Sequence, residues 1–202
     1  TVGYGMTECG PAIAFDHWQT FRPTSCGRAV DRMEIRIDSP DPFKQVGEIL
    51  TKGMNVMDGY YNNPEASNTV LSPDGWLHTG DLGVLDPDGY LYIKGRSKSL
   101  ILGPSGQNIY PEEIEDLLNA QPYIAESLVI EREGKLVALV YPDAEAMKQN
   151  KISREALLKI IHETRKQINQ QIPAYSQIAR IEIHDEEFEK TPKRSIKRFL
   201  YQ

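Results

Sequence analysis

Only two cysteines occur in the 202 residues, Cys9 and Cys26, which excludes a disulfide scaffold. No CxxC pair or His/Cys cluster offers zinc-ligand spacing, so a structural zinc is excluded too. No apolar run approaches the roughly 20 residues needed to span a bilayer. No basic–apolar–small signal segment opens the chain. A reducing, cytoplasmic setting is the expectation. Positive charge is not in excess either: 23 Lys and Arg face 29 Asp and Glu, a net −6, which argues against a nucleic-acid protein driven by bulk charge. Apolar residues at 40% and charged residues at 26% are ordinary for a globular protein and argue against disorder. The length allows one domain of common size or two small ones.

What is there is unevenly placed. Up to Gly95 the chain holds 13 acids and 7 bases; from Arg96 onward it holds 16 of each, so the whole net charge lies in the first part. The texture changes at the same point. The first part is punctuated by turn sequences: Asp41-Pro42, Asn63-Pro64, Ser72-Pro73-Asp74-Gly75 and Asp86-Pro87-Asp88-Gly89. Alternating runs such as Met33-Glu34-Ile35-Arg36-Ile37 lie between them, and the last turn joins Gly83–Leu85 to Tyr90–Ile93 with hairpin chemistry. This part reads as antiparallel β. In the second part Pro111, Glu112 and Glu113 suit a helix start, with Ile114, Leu117 and Leu118 on one face. Strands are predicted near 127–131 and 136–141. Ser153 is placed to cap a helix whose face runs Leu157, Ile160, Ile161, Thr164, Ile168, stopped by Pro173, and a strand is predicted over 178–183. The fold class is α+β. The expected domains are a β-rich segment, 1–95, and a small α+β domain, 96–202, with a hinge near 96–98.

Four constellations carry candidate chemistry. Asp81, after Gly80, could accept hydrogen bonds from a vicinal diol such as a ribose, or could make an Asx-turn. Gly95-Arg96-Ser97-Lys98, followed by a loop with Gly103 and Gly106, could approach a ligand closely or serve as a linker. Tyr4-Gly5-Met6-Thr7-Glu8 offers an aromatic, a hydroxyl and a carboxylate able to hold Mg²⁺, or a strand end. Lys190 to Arg198 packs five cations into nine residues with no acid, which suits phosphates or a solvated tail. His17, His78, His162 and His184 are scattered and read as structural or surface residues. Trp18 and Trp76 read as packing.

The order of these motifs resembles the adenylate-forming superfamily of acyl-CoA synthetases, peptide-synthetase adenylation domains and luciferases. Its markers here are Tyr4–Glu8, Gly47-Glu48-Ile49, Gly59–Glu65, Gly75–Asp81, Gly95-Arg96, Gly106–Glu115 and the basic tail. Within the superfamily the chain is most similar to bacterial long-chain fatty acyl-CoA synthetases. The resemblance implies the C-terminal end of the large nucleotide-binding domain followed by a mobile lid domain. It implies ATP/AMP, Mg²⁺ and CoA, a fatty acid substrate, the upstream part of the same enzyme as partner, and no nucleic acid. It also allows a cytoplasmic location with weak peripheral membrane contact. By matching, Tyr4 would stack on adenine, Thr7 would contact the α-phosphate, Glu8 would bind Mg²⁺, and Asp81 would hold the ribose with Arg96 assisting. Lys98 falls at the hinge, and the Gly103–Gly106 loop would face the pantetheine arm.

Two departures stand out. The phosphate-binding loop and acyl pocket of the family are missing, so the chain is expected to be part of a longer enzyme, without turnover alone. The position of the family's catalytic tail lysine falls on Ser195, which cannot supply the charge. Lys193 and Lys197 lie two residues to either side and share its face in an extended segment. One of them, with Lys197 preferred, is expected to substitute. The alternatives are an adenylating enzyme that serves an amino or aryl acid and a carrier protein, and a non-catalytic nucleotide-binding homologue.

Overall fold

The computed structural model describes residues 2–192 and 194–202 and divides the chain into two compact units, Thr1–Lys98 and Ser99–Gln202. The first unit holds two antiparallel sheets. One comprises β1 (Gly3–Gly5), β2 (Ala12–Phe15) and β3 (Arg28–Ala29), in that order. The other comprises β4 (Met33–Asp38), β5 (Gly47–Gly53), β6 (Leu77–Leu85) and β7 (Leu91–Arg96), also in chain order. The expected hairpin is present, with Leu85 opposite Leu91, Val84 opposite Tyr92 and Gly83 opposite Ile93. Alternation along the strands sends Ile37, Ile49 and Leu91 into one cluster with Ala14, and Met33 and Leu77 into another with Cys9 and Ile13. A short helix, α1 (Pro64–Val70), opens with Asn63 accepting from the Ala66 N–H. Trp76 packs under the Arg36 guanidinium, 4.6 Å away. Trp18, expected as packing, is instead 72% exposed, with the His17 ring tilted beside it.

The second unit begins with a small hairpin of β8 (Ile101–Leu102) and β9 (Asn108–Ile109). Helix α2 (Pro111–Asn119) follows, with Pro111 in its first turn and Glu112 and Glu113 behind it, as the sequence predicts. Strands β10 (Ile124–Arg132) and β11 (Lys135–Pro142) form a tight hairpin. A short helix α3 (Ala144–Gln149) and the long helix α4 (Arg154–Asn169) lead to β12 (Ile178–Ile183), which pairs parallel to β11. Ser153 Oγ accepts from the Ala156 N–H and caps α4. The period of two along β10 and β11 splits the core. Val129, Leu136, Ala138 and Val140 face α2 and α4 through Ile114, Leu118, Leu157, Ile161 and Ile168. Leu128, Ile130, Val137 and Leu139 pack on the other face against Phe188, Ile196 and Tyr201 from the C-terminal segment. Both sheet faces are covered, so these strands read as continuous apolar runs. At about 1.5–3 kcal/mol per fully buried aliphatic side chain, this core is what makes the unit compact.

Candidate active site

In the first unit the structure brings Tyr4, Asp81 and Arg96 together. Asp81 lies on β6, directly opposite Arg96 on β7. Its Oδ1 is 3.0 Å from Arg96 Nε, and its Oδ2 accepts from the Tyr4 hydroxyl at 2.7 Å. The Asp81 residue is only 7% exposed, whereas Arg96 is exposed. Gly80 precedes it with φ +72, a left-handed conformation that favours glycine. Thr79 Oγ1 accepts from the Asp81 N–H and donates to the Ile49 carbonyl, which fixes the carboxylate to β5. Burial, with the neighbouring Asp81 carboxylate adding to it, pushes the Tyr4 phenol well above its ordinary range. Tyr4 is therefore a hydrogen-bond donor at any physiological pH.

Glu48 was visible only as part of Gly47-Glu48-Ile49, with no role assigned. Its Oε1 accepts from the Gly80 N–H at 2.9 Å, and its Oε2 lies 2.9 Å from His78 Nδ1. Glu48 and His78 thus brace the turn before Asp81. Ser97 closes the same turn by donating to the Gly80 carbonyl at 3.1 Å. Thr7 is exposed in a short 3₁₀ turn, Thr7–Cys9. Glu8, in the same turn, accepts from the Tyr60 hydroxyl at 3.0 Å. Tyr60 belongs to the Gly59–Glu65 motif, whose contact with Glu8 no local pattern would reveal. Lys98, exposed, ends this unit.

The remaining candidates lie in the second unit. Gly103 and Gly106 bound the turn of the β8–β9 hairpin: the Gly106 N–H donates to the Gly103 carbonyl, and the Gly103 N–H to the Gln107 carbonyl. Beside this turn is a cavity of about 460 Å³, lined among others by Leu102, Gln107, Lys135, Tyr175 and Ala179. The basic tail is a hairpin. Lys190 pairs with Ile196, the Thr191 N–H donates to the Ser195 carbonyl, and Arg194 has φ +63. Its cations are not equivalent. Lys190 contacts Glu126 and Glu187, Lys197 lies 3.1 Å from Glu189, and Arg198 joins Glu112 and Glu115. Lys193 lies outside the described residues. Ser195 is exposed.

The chemistry of these donors fits a nucleotide. Among the described residues each Asp81 oxygen has one partner, Tyr4 or Arg96, and retains a second lone-pair direction, enough for two ribose hydroxyls. Among the described residues no group of three or more His, Cys, Asp or Glu could hold a metal. A single carboxylate at Glu8 suits Mg²⁺, which usually takes one or two carboxylates and completes its shell with water and substrate phosphates.

Two family profiles match: the AMP-binding enzyme over residues 1–61, and the AMP-binding enzyme C-terminal domain over residues 98–201. The chain belongs to this family, the adenylate-forming enzymes. It is 40% identical over 138 residues to 4-coumarate–CoA ligase 5 of Oryza sativa subsp. japonica, covering 63% of this chain and 25% of that protein. It is 38% identical over 138 residues to a long-chain-fatty-acid–CoA ligase of Gallus gallus, covering 68% and 18%. The chain therefore spans about a quarter or less of these curated relatives. O-succinylbenzoate coenzyme A synthetase of Bacillus subtilis, in complex with AMP, superposes with a TM-score of 0.79 at 28% identity, covering 100% of this chain and 40% of that one. The same enzyme solved with ATP and magnesium ion gives 0.78 at 29%, covering 98% and 40%.

Proposed function

We propose that this chain forms part of an ATP-dependent acid–thiol ligase, with a long-chain fatty acid as the acid and CoA as the thiol. In the first step a carboxylate oxygen bonds to the α-phosphorus of ATP while the bond to pyrophosphate breaks. In the second the thiol sulfur bonds to the acyl carbon while the bond to AMP breaks. The observation that carries this reading is the buried Asp81, held by Tyr4 and Arg96 with lone pairs to spare for a ribose. Tyr4 would lie against the base, with Thr7 at the α-phosphate and Glu8 holding Mg²⁺. Magnesium, when bound, neutralises phosphate charge. The fatty acid assignment rests on the resemblance of 106–115 and on the Gallus gallus relative.

The charge expected at Ser195 would come from Lys197 or Lys193, and Lys98 would be the hinge between the two steps. The Gly103–Gly106 turn and its cavity would take the pantetheine arm. The upstream part of the enzyme would supply the acyl pocket. The location we propose is cytoplasmic, with weak peripheral membrane contact; two free thiols suit it.

The test is ATP–pyrophosphate exchange by the full-length enzyme with fatty acids of graded chain length. Exchange confined to long chains is expected. Exchange with a hydroxycinnamic acid instead would move the reading to an aryl acid, which the Oryza sativa relative favours. ATP binding without exchange would favour a non-catalytic homologue, as Ser195 suggests. In the same assay Lys197→Ala or Lys193→Ala is expected to slow exchange at least tenfold. If neither does, the substitution idea fails.

A further inference from the structure

Strand β10 is an edge of its sheet, and the C-terminal segment is stitched along it. Lys190 Nζ meets Glu126 at 2.7 Å, Arg198 Nη1 donates to the Val129 carbonyl at 3.2 Å, and Arg132 Nη2 donates to the Tyr201 carbonyl at 3.2 Å. The central contact is unusual. Glu115, on α2, is 8% exposed, and both its oxygens are engaged: Oε1 with the Val129 N–H at 2.6 Å, Oε2 with Arg198 Nη2. Together Glu115 and Arg198 satisfy both outward backbone groups of Val129, which β11 does not use. Glu112 lies 3.6 Å from the same guanidinium. A buried ion pair must repay the desolvation of both ions, so its charges add little net stability beyond the backbone groups it satisfies. Its best-attested use is to specify one register. The forked Arg198 meets three partners on two elements, Val129 on β10 and Glu112 and Glu115 on α2, so a slip of the tail by one residue would break these contacts.

We propose that Glu115 is a positioning residue: through Arg198 it fixes the register on β10 of the basic hairpin that pairs Lys190 with Ile196, and so the place of Lys197 during the ATP-consuming step. This rests on the ligase reading above. The thiol-transfer step, which that reading assigns to the Gly103–Gly106 turn, does not depend on the hairpin's register.

The experiment uses the full-length enzyme and its Glu115→Gln and Arg198→Lys variants. Gln keeps the volume and the acceptor for Val129 but loses the charge that orients Arg198; Lys keeps the charge but not the fork. Three readings are taken: acid-dependent ATP–pyrophosphate exchange, single-turnover transfer from pre-formed acyl-AMP to CoA, and thermal melting. Exchange is expected to fall about 10- to 100-fold in both variants, with transfer within twofold of wild type. The Glu115→Gln melt at pH 8 is expected to stay within a few degrees. Equal losses in both half-reactions would mean a merely structural role and overturn the inference. Unchanged exchange in variants that fold would overturn it as well. Absence of exchange in the wild type with every acid would instead fail the ligase reading.

Discussion

At the scale of single residues, the site is built from side chains whose partners lie far away in sequence. Tyr4 and Asp81 meet across 77 positions, and Glu8 and Tyr60 across 52. The aromatic, the acid and the arginine each sit in a motif that the sequence singles out, and the structure brings the three side chains into contact. Glu48 was not singled out, because it contacts Gly80 and His78 within the fold, and a supporting carboxylate on a strand looks like any solvated one. Tyr4→Phe removes one hydrogen bond to a buried carboxylate. It is expected to cost about 1 kcal/mol of stability and to raise the KM for ATP about fivefold, read by denaturant melts and steady-state kinetics. Glu115 makes a prediction in pH. Burial pushes its carboxyl up to about 7, against the pull of Arg198 and the Val129 N–H and with Glu112 adding to the rise. A folded-state pKa above the unfolded one stabilises fully below the unfolded value, and that stabilisation is lost as pH rises through about 7. Relative to wild type, Glu115→Gln is therefore expected to gain stability between pH 5 and 8. Parallel melts across that range check it; a constant difference would contradict the assignment.

At the scale of elements, those with an apolar period were readable and those without were not. Helix α4 carries Leu157, Ile161, Thr164 and Ile168 at helical spacing behind a Ser153 cap, and the sequence alone predicts it. Helices α1 and α3 were missed because neither buries a residue; they rest on the caps Asn63 and Asp143 rather than on a stripe. The direction of β12 could not be read either, since period two is the same for parallel and antiparallel pairing. The β10–β11 turn offers a test. Glu133 and Gly134 both have positive φ, +54 and +72, as a type I′ hairpin demands. Glycine accepts this freely and glutamate does not. Glu133→Asn is expected to stabilise by about 0.5 kcal/mol and raise the melting temperature about 2 °C, measurable by calorimetry.

At the scale of the whole chain, composition and structure divide it at nearly the same place. The acid excess ends at Gly95, and the compact units meet after Lys98. The charge-balanced α+β unit and the acidic β unit differ in texture. Lys98 is exposed at the junction. Brief trypsin treatment is expected to cut there first and leave two persistent fragments of similar size, identified by mass spectrometry; an earlier cut inside either unit would contradict two compact bodies.

The parallel pairing of β12 with β11 also sets an order in time. The β10–β11 hairpin closes through two residues and can form within microseconds. The third strand must wait until 143–177, with α3 and α4, has been synthesised and folded, because its partner edge is reached only by that crossover. Until then the apolar β11, Leu-Val-Ala-Leu-Val over 136–140, presents an open edge on the ribosome-bound chain. The nascent second unit is thus most prone to aggregate in the interval before Ile178 emerges, and a chain ended at Gln177 is expected to aggregate more than the full one.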